Sequence, residues 1–329
     1  MTLHRIQRLP KCLAASLLVA AAAAAHAQHT TFPSKPITMV NPYAAGGPAD
    51  ILGRELAKHL ANALGQQVIV DNRPGAGASV GAAYVARAPA DGYTLLMGTA
   101  AAHTVTPLAT KVPYDGLKDF AFIGMIANVP NVLTVHPAVG ADTLQEFIAL
   151  AKSRPGELSY VSAGMGSSPH IAFEMFKHNA GIALVHIPYK GAAPATTDMV
   201  AGFVPAGMLN ISVTLPFIQD GRLKALAYGG SRRSPALPNV PTFAQAGVQD
   251  MISGSWYSLA APANTPSDVV ERLAQALERV KSSAEFQAVL TRQNTELLPQ
   301  MRTDARDFIA ADGQRLARLV QDAGMKLTE

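Results

Sequence analysis

Cysteine occurs once in the 329 residues, at Cys12, inside a stretch expected to be removed on export. The exported chain then has no disulfide, no thiolate nucleophile and no Cys-ligated metal. After Ala27 no apolar run reaches the roughly 20 residues that a membrane helix needs. The chain also lacks H-E-x-x-H, a Walker lysine motif, an Asp-rich calcium loop and a G-x-S-x-G elbow. No pair of carboxylates stands in the strand-end loops as acid and base. Charged residues make up 15% of the chain and the formal net charge is +4. Arg5, Arg8 and Lys11 supply three of those charges, so the exported form carries +1 and gives no case for nucleic acid. No cofactor is called for.

Arg5, Arg8 and Lys11 form a basic n-region, Leu13 to Ala25 an apolar stretch, and Ala25-His26-Ala27 an A-x-A cleavage site. This predicts a secretory signal peptide over 1–27 and a periplasmic destination. Cys12 lies well ahead of the cut, so no lipid anchor is expected there.

What remains alternates strand-like and helix-like stretches. Strands read at Ile37–Val40, Gln67–Val70, Thr94–Met97, Phe122–Ala127, Asn131–Val135, Leu158–Val161, Leu184–Pro188, Pro205–Met208, Ala225–Tyr228 and Ser258–Ala261. Helical segments such as Asp50–Leu64, Gly77–Arg87, Thr143–Arg154, His170–Ala180 and Ala193–Ala201 lie between them. That alternation predicts an α/β fold with parallel or mixed sheets covered by helices. From Pro266 on the pattern turns helical: Ser267–Ser282, Ala284–Gln293 and Thr303–Ala323. Asn128–Pro137 and Ser255–Pro262 read as two crossing strands between lobes. One lobe then comprises 28–128 plus 255–329, the other 129–254, and a cleft lies between them.

Two turns could hold an anion. Pro42 to Asp50, PYAAGGPAD, joins a strand to a helix, and free N–H groups at a helix start carry partial positive charge. An ordinary β-α loop capped by Asp50 is the plainer reading. Ser162 to His170, SAGMGSSPH, repeats the arrangement and adds two hydroxyls. Together the turns make a pincer for a carboxylate. His103 reads as a satisfied surface histidine, and Lys190, after the strand Leu184–Pro188, as a solvated lysine. Gly75-Ala76-Gly77-Ala78-Ser79-Val80-Gly81 has the spacing G-x-G-x-x-x-G, not that of a dinucleotide fingerprint, and reads as close helix–sheet packing.

The segments FPSKPITMVNPYAAGGPADILGREL, VDNRPGAGASVGAAYVARAPADGYTLLMGT, PYDGLKDFAFIG, SYVSAGMGSSPH, HIPYKGAAPATTDMVAG, RRSPALPNVPTFAQAG and SWYSLAAPANTP resemble those of the tripartite tricarboxylate transporter substrate-binding proteins, the Bug-type solute receptors. The resemblance implies a two-lobed, type II periplasmic binding protein of the Venus-flytrap kind, with a mixed sheet in each lobe and two crossover strands. It implies a monomer that captures a small organic acid and hands it to the membrane subunits of a tripartite tricarboxylate-type transporter. Carried onto this chain, the ligand carboxylate meets backbone amides of Tyr43, Ala44, Ala45, Gly46 and Gly47, and of Ala163, Gly164 and the residues to Ser168. Thr99, Ser167, Ser168 and His170 add side-chain contacts, and Asn210 is kept. Leu209 stands where the family often has Asp, and Ala100-Ala101-Ala102 replaces a polar loop. Both changes predict an acid with an apolar body, aliphatic or aromatic, over an amino acid or citrate. Two other functions compete: a secreted hydrolase using Ser167 or Ser168 with His170, and a sensor subunit presenting its liganded form to a membrane-bound signalling partner.

Overall fold

A computed structural model describes residues 32–322. The expected signal peptide lies outside the described residues. The first strand, β1 (Ile37–Asn41), is buried almost throughout and runs into the Gly/Pro turn. Helix α1 (Pro48–Leu64) starts on a proline in its first turn, where the missing N–H costs nothing. Leu52, Leu56 and Leu60 recur every fourth residue and are fully buried. Gly65, left-handed at φ +72°, closes the helix. Next come β2 (Val68–Asn72), α2 (Ser79–Ala86) and β3 (Thr94–Gly98). A π-helical turn, Ala101–Val105, leads into α3 (Thr106–Ala109).

The second half repeats the order. After the long strand β4 (Phe120–Val135) come α4 (Leu144–Ser153), β5 (Ser159–Ser162), α5 (Ser168–Ala180), β6 (Val185–Pro188), α6 (Ala192–Val200) and β7 (Ala206–Asn210). Thr143 and Glu146 form a capping box at the start of α4. Then follow α7 (Ile211–Gln219), β8 (Lys224–Tyr228), β9 (Gly254–Pro262), α8 (Ser267–Ser282), α9 (Ala284–Arg292), β10 (Glu296–Leu297) and α10 (Arg302–Asp322).

The strand order is β2-β1-β3-β9-β4-β7-β5-β6, with β8 and β10 pairing β4 off this path. Strands β2-β1-β3 are parallel, as are β7-β5-β6, while β9 and β4 join the two groups by antiparallel pairing. The α/β class and mixed sheet therefore match expectation. In each group the first strand sits in the middle with its successors on either side, so chain direction of travel switches beside β1 and again beside β5. Such switch points open a crevice at the carboxyl ends of the strands.

Two stretches read as separate strands, Phe122–Ala127 and Asn131–Val135, are one strand. It pairs with β9 from Phe120↔Pro262 to Pro130↔Gly254, then with β7 from Asn131 to Val135. Pro130, which has no N–H to donate, sits where the partner changes. The boundaries read at 128/129 and 254/255 fall in this paired stretch. Helix α7 was not anticipated, because its interior Pro216 and nearly continuous apolar run hide any helical period. One apolar core, with Phe147, Tyr160, Phe173 and Phe176, lies under α4 and α5. Another joins β3, α2 and α10 through Leu96, Val85 and Ile309.

Candidate functional site

Four strand ends converge. Tyr43 follows β1, Thr99 follows β3, Ala163 follows β5, and Asn210 ends β7. All four line one small cavity of ≈ 30 Å³. Three helix starts contribute as well: Gly47, Pro48 and Ala49 of α1, Ser167, Ser168 and Pro169 of α5, and Ala192 of α6. The floor is Ser255, Trp256 and Tyr257 of β9, with Ala100 and Ala101 beside Thr99. No acidic or basic side chain lines it among the described residues. Converging helix starts then set the local potential, which favours an anion.

Asn210 is the polar anchor of the crossing. Its Nδ2, with two hydrogens, lies within hydrogen-bonding distance of the Val129 carbonyl at 2.9 Å, Asn131 Oδ1 at 2.9 Å and Ser255 Oγ at 3.0 Å. Tyr43 OH and Thr99 Oγ1 lie 3.4 Å apart. Burial pushes the Tyr43 phenol up to about 12 and raises that of Tyr257 further, so both stay protonated donors at neutral pH.

Of the expected residues, Tyr43, Gly47, Thr99, Ala163, Ser167, Ser168 and Asn210 line this cavity; Ala44, Ala45, Gly46, Gly164 and His170 do not. Several expected amides already have protein partners. Tyr43 N–H donates to Asn41 Oδ1 at 3.3 Å, Ala44 N–H to the Lys190 carbonyl at 3.1 Å, and Gly46 N–H to Asp50 Oδ2 at 2.9 Å. Asp50 thus caps its own turn. Burial opposes its charge, but Arg54 and the Gly46 amide hold the carboxylate below its ordinary range. Gly164 N–H donates to Ser162 Oγ at 3.0 Å, Gly166 N–H to His170 Nδ1 at 3.1 Å, and Ser167 N–H to the Gly164 carbonyl at 3.1 Å. Gly164 holds φ +122°, and a Cβ there would come within 2.8 Å of the Tyr189 carbonyl. His170 is therefore a buried acceptor that shapes the loop from behind, because its ring faces His186 at 4.3 Å.

The serines and His170 do not form a dyad. Ser167 Oγ donates to the Gly164 carbonyl at 2.7 Å, and Ser168 Oγ to the Gly254 carbonyl at 2.6 Å. Neither reaches a histidine ring, so no base is aligned on either hydroxyl.

His103 is not at the surface. It is 2% exposed, with Nδ1 2.8 Å from the Gly116 carbonyl and its ring packed among Phe120, Phe122 and Trp256. The apolar residues Ala100 to Ala102 draw the turn inward and carry the histidine with them. Burial lowers its pKa to about 4, so the ring is neutral. Leu209 is fully buried in the core with Val161 and Ala163 and does not line the cavity, unlike Ala100 and Ala101. Gly81 does bring α2 close to Pro42, as helix packing requires, whereas Gly75 to Ala78 line a second chamber. Lys190 is exposed, as expected, but lines that same chamber. The contributions of Ala192 and of β9 were missed. Pro188-Tyr189-Lys190-Gly191 before α6 is a third strand–glycine–helix junction, and that was the available signal.

The chain is similar to known proteins in both sequence and fold. The model of the "tripartite tricarboxylate transporter family receptor" matches residues 52–325. Protein BugT of Bordetella pertussis (strain Tohama I) is 36% identical over 313 residues, which span 94% of this chain and 96% of that protein. A solved structure described as a periplasmic transporter superposes with a TM-score of 0.87 at 35% identity, covering 90% of this chain and 100% of that one. R. palustris Rpa4515 with adipate superposes with a TM-score of 0.86 at 32% identity, covering 89% and 98%.

Proposed function

The chain belongs to the tripartite tricarboxylate transporter receptor family, and on that premise we propose that it captures a small organic carboxylate between two lobes and delivers it to the membrane subunits of a tripartite transporter. The family is one of periplasmic solute receptors. The observation that carries the reading is the meeting of three helix starts, from α1, α5 and α6, on one cavity whose lining bears no charge. Residues Tyr43, Gly47, Thr99, Ala163, Ser167, Ser168 and Asn210 are the proposed contacts, with Ala192 and Tyr257 added by the geometry.

The lobes proposed are 28–128 plus 255–329 and 129–254, and the passage of β4 from β9 to β7 at Asn131 supports that division. Ligand touching both lobes favours their closure by its difference in affinity for the closed and open states. We propose a monomer, exported by its signal peptide, that performs no catalysis; the unaligned Ser167, Ser168 and His170 support the last point. The ligand is an acid with an apolar body. No carboxylate lines the cavity to pair with an amine, and Ala100 and Ala101 beside Thr99 put methyl groups where a hydroxyl-rich acid would want partners. The relative solved with adipate carries such a ligand.

Titration calorimetry with adipate, benzoate, glutamate and citrate, followed by NMR of the recovered ligand, tests the reading. Binding of adipate or benzoate with the ligand returned intact is the expected result. No binding by any acid would overturn the receptor reading, chemical conversion would overturn its non-catalytic part, and tighter binding of glutamate or citrate would overturn the apolar body.

A further inference from the structure

Tyr43 and Ala163 line two spaces at once. One is the inner cavity of ≈ 30 Å³, and the other is a chamber of ≈ 430 Å³. A single water needs roughly 10–15 Å³ of such space. The inner cavity is thus more than tenfold smaller than the chamber and suits the head of a small acid better than an elongated body.

Resting on the carboxylate reading above, we propose that the outer chamber seats the body of the ligand and selects its length: the acid group enters the inner cavity past Tyr43, and an elongated carbon chain or ring lies outside it. The walls suit such a body. Ala109, Met165, Pro188 and Tyr189 are apolar or aromatic, and Lys190 is the one charged residue lining the chamber among those described. The far wall is backbone. Gly75, Ala76, Gly77 and Ala78 all have positive φ, between +44° and +139°, and Ala76 and Ala78 hold it although they are not glycine. Left-handed backbone is unfavourable for alanine, so packing must enforce this winding. A Cβ on Gly77 would come within 2.7 Å of Thr106 Oγ1 and 2.8 Å of the Met165 carbonyl, so the loop is pressed against both. The chamber is thus walled by small side chains and backbone, which leave its width for the ligand.

Chain length is the direct test. Burying four additional carbons should make hexanoate bind about 100-fold tighter than acetate. Thr110 is exposed and lines only the outer chamber. Thr110→Trp should therefore fill that chamber and cut the hexanoate-to-acetate preference at least tenfold, with Thr110→Tyr as a smaller second filler. Melting curves report whether either variant folds. Equal affinity for the two acids in the unmodified protein, or an unchanged preference in folded Thr110→Trp and Thr110→Tyr, would overturn the proposal while leaving a carboxylate receptor standing. Failure of both acids and of the wider acid panel to bind would remove the receptor reading, and this proposal with it.

Discussion

The amide of Ala44, in the loop after β1, donates to the carbonyl of Lys190, in the loop after β6, at 3.1 Å. Gly191 sits against the same contact, with φ +149° and its Cα facing the backbone of Ala44. Gly46 and Gly47 in turn approach Ala193 and Ala192. A strip of small residues therefore lets the turn before α1 and the turn before α6 meet backbone to backbone, beside the cavity that both helix starts line with that of α5.

Gly191→Val should hold the turns apart. A Cβ there would lie 3.3 Å from both Ala44 N and Ala44 Cβ, and a branched side chain cannot take that φ without strain. Ligand affinity should fall about tenfold, equal to ~1.4 kcal/mol, and the contraction seen by small-angle scattering on adding ligand should shrink. Unchanged affinity in the folded variant would show that this contact does not govern closure.

The strand ends that build the site were legible because each couples an apolar run to a glycine and a helix start: Val40 to Gly47, Val161 to Ser168. Which amides remain free was not legible. Asp50 reads as a cap in the sequence, but that it takes the Gly46 amide, and that His170 takes that of Gly166, depends on side-chain direction. Periodicity carries no such information. His103 was misplaced for a related reason. A histidine in a loop is usually exposed, and only the aromatic ring of Phe120, Phe122 and Trp256, contributed from two distant strands, makes burial favourable.

The His170 contact predicts acid sensitivity. Burial lowers His170 to about 4, with Glu174 opposing and Lys177 assisting. Burial, then His170 and Lys177, lowers His186 to about 3. Folded values below the ordinary 6.5 mean that the unfolded chain takes up protons first as pH falls. The stability they contribute is complete above about pH 6.5 and is lost toward pH 4. Protonated Nδ1 cannot accept the Gly166 amide, so ligand affinity should fall only as the pH approaches 4, where the folded ring takes up its proton. His170→Leu leaves that amide without its acceptor and should cost about 1–3 kcal/mol at pH 7, yet its melting temperature should fall less steeply from pH 6.5 to 4. Identical acid slopes for the two proteins would refute the assignment.

Lys281, at the end of α8, should act in the opposite pH range. It is 5% exposed, with Nζ donating to the Met125 carbonyl at 3.0 Å. Burial lowers its pKa from 10.5 to about 8, against a smaller upward pull from Glu278. Between those two values the unfolded chain holds the extra proton, so raising the pH favours the folded state. Below about pH 8 the cost of the buried charge is constant and on the order of 3 kcal/mol. Lys281→Met keeps an apolar stem and removes the ammonium, whose Nζ lies 3.4 Å from Met301 Sδ. The variant should therefore melt higher than the unmodified protein at pH 7.5. The gap should narrow as pH rises from 8 toward 10.5, above which Lys281 is neutral in both states, while other lysines and tyrosines titrate equally in the two proteins. Paired melting curves from pH 7 to 10 measure this, and a gap that stays constant would place the Lys281 proton outside the folding equilibrium.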